Sequence, residues 1–130
     1  MTQDSHDDHD FQITFYEGVL ARSRDFQQAL MALGDLYTRK GFYAKGLALD
    51  QRLASLRPRD PMVLYNLACS YSLLGRLDEA FSAMKRAVAC GYDDFEYMLQ
   101  DQDLARLLAD DRFRTFLAKV RGHPLSQDKS

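Results

Sequence analysis

A chain of 130 residues, 28% of them charged, fits a single domain, and it holds no apolar run approaching the roughly 20 residues of a membrane-crossing helix. Four of its 19 acidic residues, Asp4, Asp7, Asp8 and Asp10, crowd the first ten positions, which contain no Lys or Arg, so the start is the opposite of a secretory signal. The remainder is nearly neutral and lacks the strong basic face that nucleic-acid binding needs.

Residues 1–10 read as a disordered acidic tail. His6-Asp7-Asp8-His9-Asp10 holds metal-ligand residue types but no apolar anchor, so no metal is expected there. Residues 11–24 form a helix with Phe15, Tyr16, Val19 and Leu20 on its inner side. A second helix over 29–40 carries Leu30, Leu33 and Tyr37 at helical spacing and stops at Gly41. A third, over 44–56, turns Leu49, Leu53 and Leu56 inward and ends before Pro58.

Asp60-Pro61 is a helix start, an N-cap followed by proline in the first turn. The stripe Leu64, Leu67, Ala68, Tyr71 and Leu74 follows and is closed by Gly75. Asp78 opens the next helix, with Ala80, Phe81, Met84, Ala87 and Val88, before Gly91. Three short helices then fill 94–99, 103–109 and 111–121, the last with Phe113, Phe116, Leu117 and Val120 inward and a stop at Gly122-His123-Pro124. Residues 122–130 read as a flexible tail. Asp93-Asp94 and Asp110-Asp111 sit where N-caps belong.

A shift of 34 positions superimposes Leu30 on Leu64, Leu33 on Leu67, Tyr37 on Tyr71, Gly41 on Gly75, Arg52 on Arg86 and Asp60 on Asp94. Residues 27–60 and 61–94 are therefore two copies of one helical hairpin. The pattern ends there, because Asp101 and Ala105 would fill the slots of Leu67 and Tyr71. One hairpin cannot bury its stripe alone, so the segments on either side must cap the stack. The expectation is a single all-α domain over 11–121: a half-repeat helix, two full repeats and a capping segment at 95–121.

Leu-x2-Leu-Gly-x2-Tyr at residues 30–37 and Leu-x2-Leu-Ala-x2-Tyr at 64–71, with Gly41, Gly75, Ala80 and Pro58, resemble the tetratricopeptide (TPR) signature. The chain departs from it at Gly46, at Asp50 and Met84, and at Tyr92 where the closing proline would stand. Asp50 in an apolar slot implies that the first repeat is rotated locally or that this carboxylate faces a ligand.

The resemblance implies a short right-handed α-solenoid of antiparallel helix pairs. The first helices would line a concave groove that grips a peptide or helix of a protein partner, as in an adaptor, a scaffold or a chaperone-like protein. The groove residues would be Gln28, Met31, Asp35, Thr38 and Arg39, then Met62, Tyr65, Asn66, Cys69, Ser72 and Leu73. Met31, Met62 and a half-exposed Tyr65 would adapt to side chains, while Arg39 and Asn66 would hold a carboxylate or a backbone amide. Of the residues with which some relatives clamp a chaperone's terminal carboxylate, only Asn66 is matched.

No nucleophile, base and orienting group converge in any motif, and there is no phosphate-binding glycine loop, so neither enzyme activity nor a cofactor is expected. Cys69 and Cys90 form no CxxC pair and read as small buried or half-buried thiols of a reducing, cytoplasmic setting. A competing reading has two copies stacking into a homodimer through Phe11, Phe15 and Tyr16 or through the C-terminal helix. No nucleic acid and no membrane are expected as partners.

Overall fold

The computed structural model describes the backbone of residues 5–129 and the side chains of residues 8–122. Over that range the chain runs through α1 (Ser5–Arg22), α2 (Gln27–Arg39), α3 (Tyr43–Leu56), α4 (Pro61–Leu73), α5 (Leu77–Ala89) and α6 (Phe95–Gln100), then a 3-10 turn at Gln102–Leu104, α7 (Ala105–Leu108) and α8 (Asp111–Lys129). No strand occurs among the described residues, and no helix among them is long and apolar enough to cross a membrane.

The 34-residue period has a physical counterpart at each repeated position. Gly41 and Gly75 end α2 and α4 with φ of 84° and 75°, in the left-handed region that costs a side chain about 1–2 kcal/mol. Asp60 caps α4 by accepting from the backbone N–H groups of Met62 (2.9 Å) and Val63 (3.3 Å), and Asp94 caps α6 by accepting from Tyr97 N–H (3.1 Å). Arg52 and Arg86 both reach back to the loop before their own repeat, Arg52 to the Asp25 carboxylate at 2.9 Å and Arg86 to the Pro58 carbonyl at 3.3 Å.

The two repeated tyrosines mark the joints between units. Tyr37 donates its hydroxyl proton to Glu17 on α1 at 2.6 Å, and Tyr71 accepts from the Gln51 amide on α3 at 3.0 Å. Glu17 and Gln51 are themselves one period apart. Helix α1 thus occupies the place of the second helix of a preceding repeat, as the half-repeat reading requires.

Three local expectations are corrected. Helix α1 begins at Ser5, inside the segment expected as a tail, and it turns Ile13, Tyr16 and Leu20 inward while Phe15 stays 56% exposed. The Glu17–Tyr37 bond sets which face meets α2, and a residue two positions earlier lies about 200° around the helix. In α3 the buried residues are Leu47, Leu53 and Ala54; Leu49 is half-buried and Leu56, in the last turn, is exposed. Helix α8 continues to Lys129 through Gly122-His123-Pro124; the fixed φ of proline is compatible with a helix, although the ring removes one backbone hydrogen bond and crowds the carbonyl four residues back. Met1–Asp4 and the side chains of His6, Asp7 and His123 lie outside the described residues.

Two apolar clusters hold the stack. The larger gathers Leu30, Leu53, Leu64, Leu67, Ala68 and Met84 with Met98, Leu104, Leu107 and Phe113 from the capping segment. The smaller joins Ile13 of α1 to Leu33, Leu36 and Tyr37 of α2. The cap is pinned by Ser72, whose buried hydroxyl accepts from Leu107 N–H at 3.3 Å, and by Arg112, which bridges Asp110 on one side and Asp78 of α5 on the other.

Candidate peptide-binding groove

Helices α2 and α4 supply most of the lining of a groove of about 190 Å³. From them come Met31, Asp35, Thr38, Met62, Tyr65, Asn66, Cys69 and Leu73, all expected there. Gln28, Arg39 and Ser72, also expected, do not line it. Gln28 is exposed in the first turn of α2. Arg39 turns along its own helix to pair with Asp35 at 3.0 Å, and Ser72 is buried against α7. A guanidinium waiting for a partner's carboxylate is therefore absent among the described residues: no Lys or Arg lines the groove.

What lines it instead is acidic. Asp50 arrives from α3, and Asp101 and Asp103 arrive from the turn after α6, joining Asp35. Asp50 reaches the floor because Gly34, with no side chain, leaves the way open: a Cβ there would meet the Asp50 carboxylate at 3.3 Å. Gly46 lets α3 approach equally closely, its own added Cβ lying 3.1 Å from the Thr38 hydroxyl. The Asp50 carboxylate accepts a short hydrogen bond from the Ser70 hydroxyl. Burial outweighs that bond, and with the nearby Asp35 charge it pushes the Asp50 carboxyl up to about 6. The rotation or ligand-facing alternative raised by Asp50 is answered geometrically, since the side chain faces the groove.

The wall opposite is held by Asp101. One of its oxygens accepts from the Tyr65 hydroxyl at 2.6 Å and lies 3.8 Å from the Cys69 thiol; the other accepts from Asp103 N–H at 3.0 Å. Tyr65 is stacked on Tyr92 with centroids 4.5 Å apart and planes 17° apart, and it is only 2% exposed. Tyr65 is thus not the half-exposed contact the sequence suggested. Tyr92, which stands where the signature has proline, explains why: its ring stacks on Tyr65 and takes that face away from solvent. Burial raises the Tyr65 hydroxyl and the Cys69 thiol well above their ordinary ranges, and burial with the Asp101 charge raises the Asp103 carboxyl. The exposed aromatic of the groove is Tyr97 of α6, beside exposed Met31 and Met62.

No family model matches the chain. The TPR repeat-containing thioredoxin TTL4 of Arabidopsis thaliana is 40% identical over 74 residues, which cover 57% of this chain and 10% of that protein. The chain has the tetratricopeptide-repeat fold. A second, chloroplastic protein of the same plant is 28% identical over 89 residues, covering 66% of this chain and 25% of that one, so the chain spans a small part of either relative's length. The solved structure of MamA 41-end from Desulfovibrio magneticus RS-1 superposes at a TM-score of 0.74 with 18% identity, over 96% of this chain and 69% of that one. This is a likeness of fold, and it agrees with a short right-handed α-solenoid.

In this tetratricopeptide frame the lining residues that sequence reading missed are of two kinds. Gly34, Asp50, Leu53 and Ser70 belong to the repeats, and of these Asp50 alone was marked in the sequence, by its presence in an apolar slot. Tyr97, Asp101 and Asp103 come from the cap, where the period has failed and no register places them. The carboxylates do not amount to a metal centre: no group of three or more His, Cys, Asp or Glu among the described residues is placed to hold an ion.

Proposed function

We propose that the chain is a protein-interaction module whose concave groove holds a segment of a partner carrying lysine or arginine. The observation that carries the reading is the groove lining itself, with Asp35, Asp50, Asp101 and Asp103 and no cation; Arg39 sits outside it and engages Asp35 alone. A cationic side chain entering there would offset the desolvation that burial imposes on the Asp50 charge and its repulsion by Asp35, and its alkyl stem would rest on Met31, Met62 and Tyr97. The module acts by binding and not by catalysis, and two free thiols suit a cytoplasmic setting.

The test is binding of an arrayed set of peptides, each with one lysine or arginine in an apolar frame, compared with the same peptides carrying glutamate. Cationic peptides should bind, weaken as salt is raised, and lose about tenfold in affinity to the Asp35→Asn, Asp103→Asn variant. Equal binding of the glutamate series, or an affinity unmoved by the double substitution, would overturn the reading.

A further inference from the structure

Helix α1 presents a solvent-facing stripe that no other described residue covers. Asp8, Phe11, Phe15, Gly18 and Arg22 recur at alternating steps of three and four, so they share one face, and each of them is exposed, Phe11 at 73% and Phe15 at 56%. The stripe is acidic at its start, aromatic in the middle and basic at its end. Neither Asp8 nor Arg22 makes an ion pair within the described residues.

The stripe also has a hollow. Phe15, Gly18, Val19, Arg22 and Phe26 border an open apolar depression of about 750 Å³ at the C-terminal half of α1. A Cβ added to Gly18 would meet nothing within 4 Å, so the space above it is free. The protruding Phe11 lies on the other half of the same helix. A protrusion and a hollow at opposite ends of one stripe fit each other reciprocally when two copies run antiparallel, so that both contacts form in one closed pair.

We infer that two copies of this chain associate through antiparallel α1 helices related by a two-fold axis at Phe15. In that register Phe11 lies opposite Val19 of the second copy and enters its hollow beside Gly18, while Asp8 lies opposite Arg22 at both ends. The two-fold repeats every contact, as a closed isologous pair requires. A parallel pairing would set Asp8 against Asp8 and Arg22 against Arg22, and like charges face to face disfavour it. The face does not belong to the groove, so the inference stands or falls independently of the groove's ligand. An 18-residue helix is about 27 Å long, which makes a small interface and a weak association.

Sedimentation of the full chain across about 1 to 300 µM should show a monomer–dimer equilibrium. Phe15→Asp should weaken it at least about tenfold while leaving the helical circular dichroism unchanged, and Arg22→Glu should weaken it in a way that the Asp8→Arg, Arg22→Glu double variant restores. The register is read by disulfide trapping in a Cys90→Ser background. Phe15→Cys should crosslink to itself, and Asp8→Cys should crosslink to Arg22→Cys but not to itself. A monomer throughout the concentration range, or an Asp8→Cys homodimer trapped as efficiently as the mixed pair, would overturn the proposal.

Discussion

Replacing Asp50 by asparagine should make the protein more stable at neutral pH. The Asp50 carboxyl sits at about 6 in the folded state against an ordinary value of 3.8, chiefly because burial penalises its charge. Between those two values the folded chain holds a proton that the unfolded chain has released, so stability falls as pH rises through the interval and stays reduced above it. At about 1.4 kcal/mol per pH unit, the gap converts to about 3 kcal/mol at pH 7. The asparagine would keep an oxygen for the Ser70 hydroxyl and carry no charge. Urea unfolding of both proteins should give a difference of about 3 kcal/mol in favour of Asp50→Asn at pH 7, shrinking toward zero below about pH 4. A difference that does not change with pH would refute the reasoning, because it would assign the gain to packing. On the proposed function, the same substitution should cost affinity for a cationic peptide.

Gly75→Ala should cost about 1–2 kcal/mol because φ is 75°; its added Cβ would also come within 2.8 Å of an Arg106 guanidinium nitrogen, at the far end of a side chain that can swing away. Gly41→Ala, with φ of 84° and open space around it, measures the backbone cost alone, and the two urea midpoints should shift by similar amounts. Tyr65→Phe should destabilise by about 1–3 kcal/mol, since it leaves Asp101 without its 2.6 Å donor, and should lose near-ultraviolet dichroism if the stack on Tyr92 loosens with it.

The repeats were legible because two constraints act on every residue at once, the 3.6-residue period of a helix and the 34-residue period of the stack. Leu30, Leu33 and Tyr37 satisfy both, and their counterparts at 64, 67 and 71 sit in the same kind of apolar packing. Where only one constraint acts, the sequence is ambiguous. In α1 the helical pattern is clear, yet Phe15 and Ile13 are both apolar, and the choice between them falls to the Glu17–Tyr37 bond, a contact across 20 residues that no local pattern displays. The groove shows the same division. Its walls on α2 and α4 follow from the register, whereas its charge follows from Asp101 and Asp103, which are placed by a cap without a repeat. Tyr65 was misjudged because its covering ring, Tyr92, departs from the signature that supplied the register.

Ile13, Leu33, Leu36 and Tyr37 form a cluster distinct from the one around α4 and joined to it through half-buried Leu20 and Leu49, so the molecule is a row of linked stations and not a single ball. Helix α1 is the first carriage, coupled mainly to α2. Uncoupling it would wet the smaller cluster, withdraw Leu20 from the edge of the larger one and break the Glu17–Tyr37 link, but would leave the buried residues around α4 packed on one another. Amide protons of α1 therefore exchange with solvent through an opening much shallower than global unfolding, while those of α4 wait for the whole row to come apart.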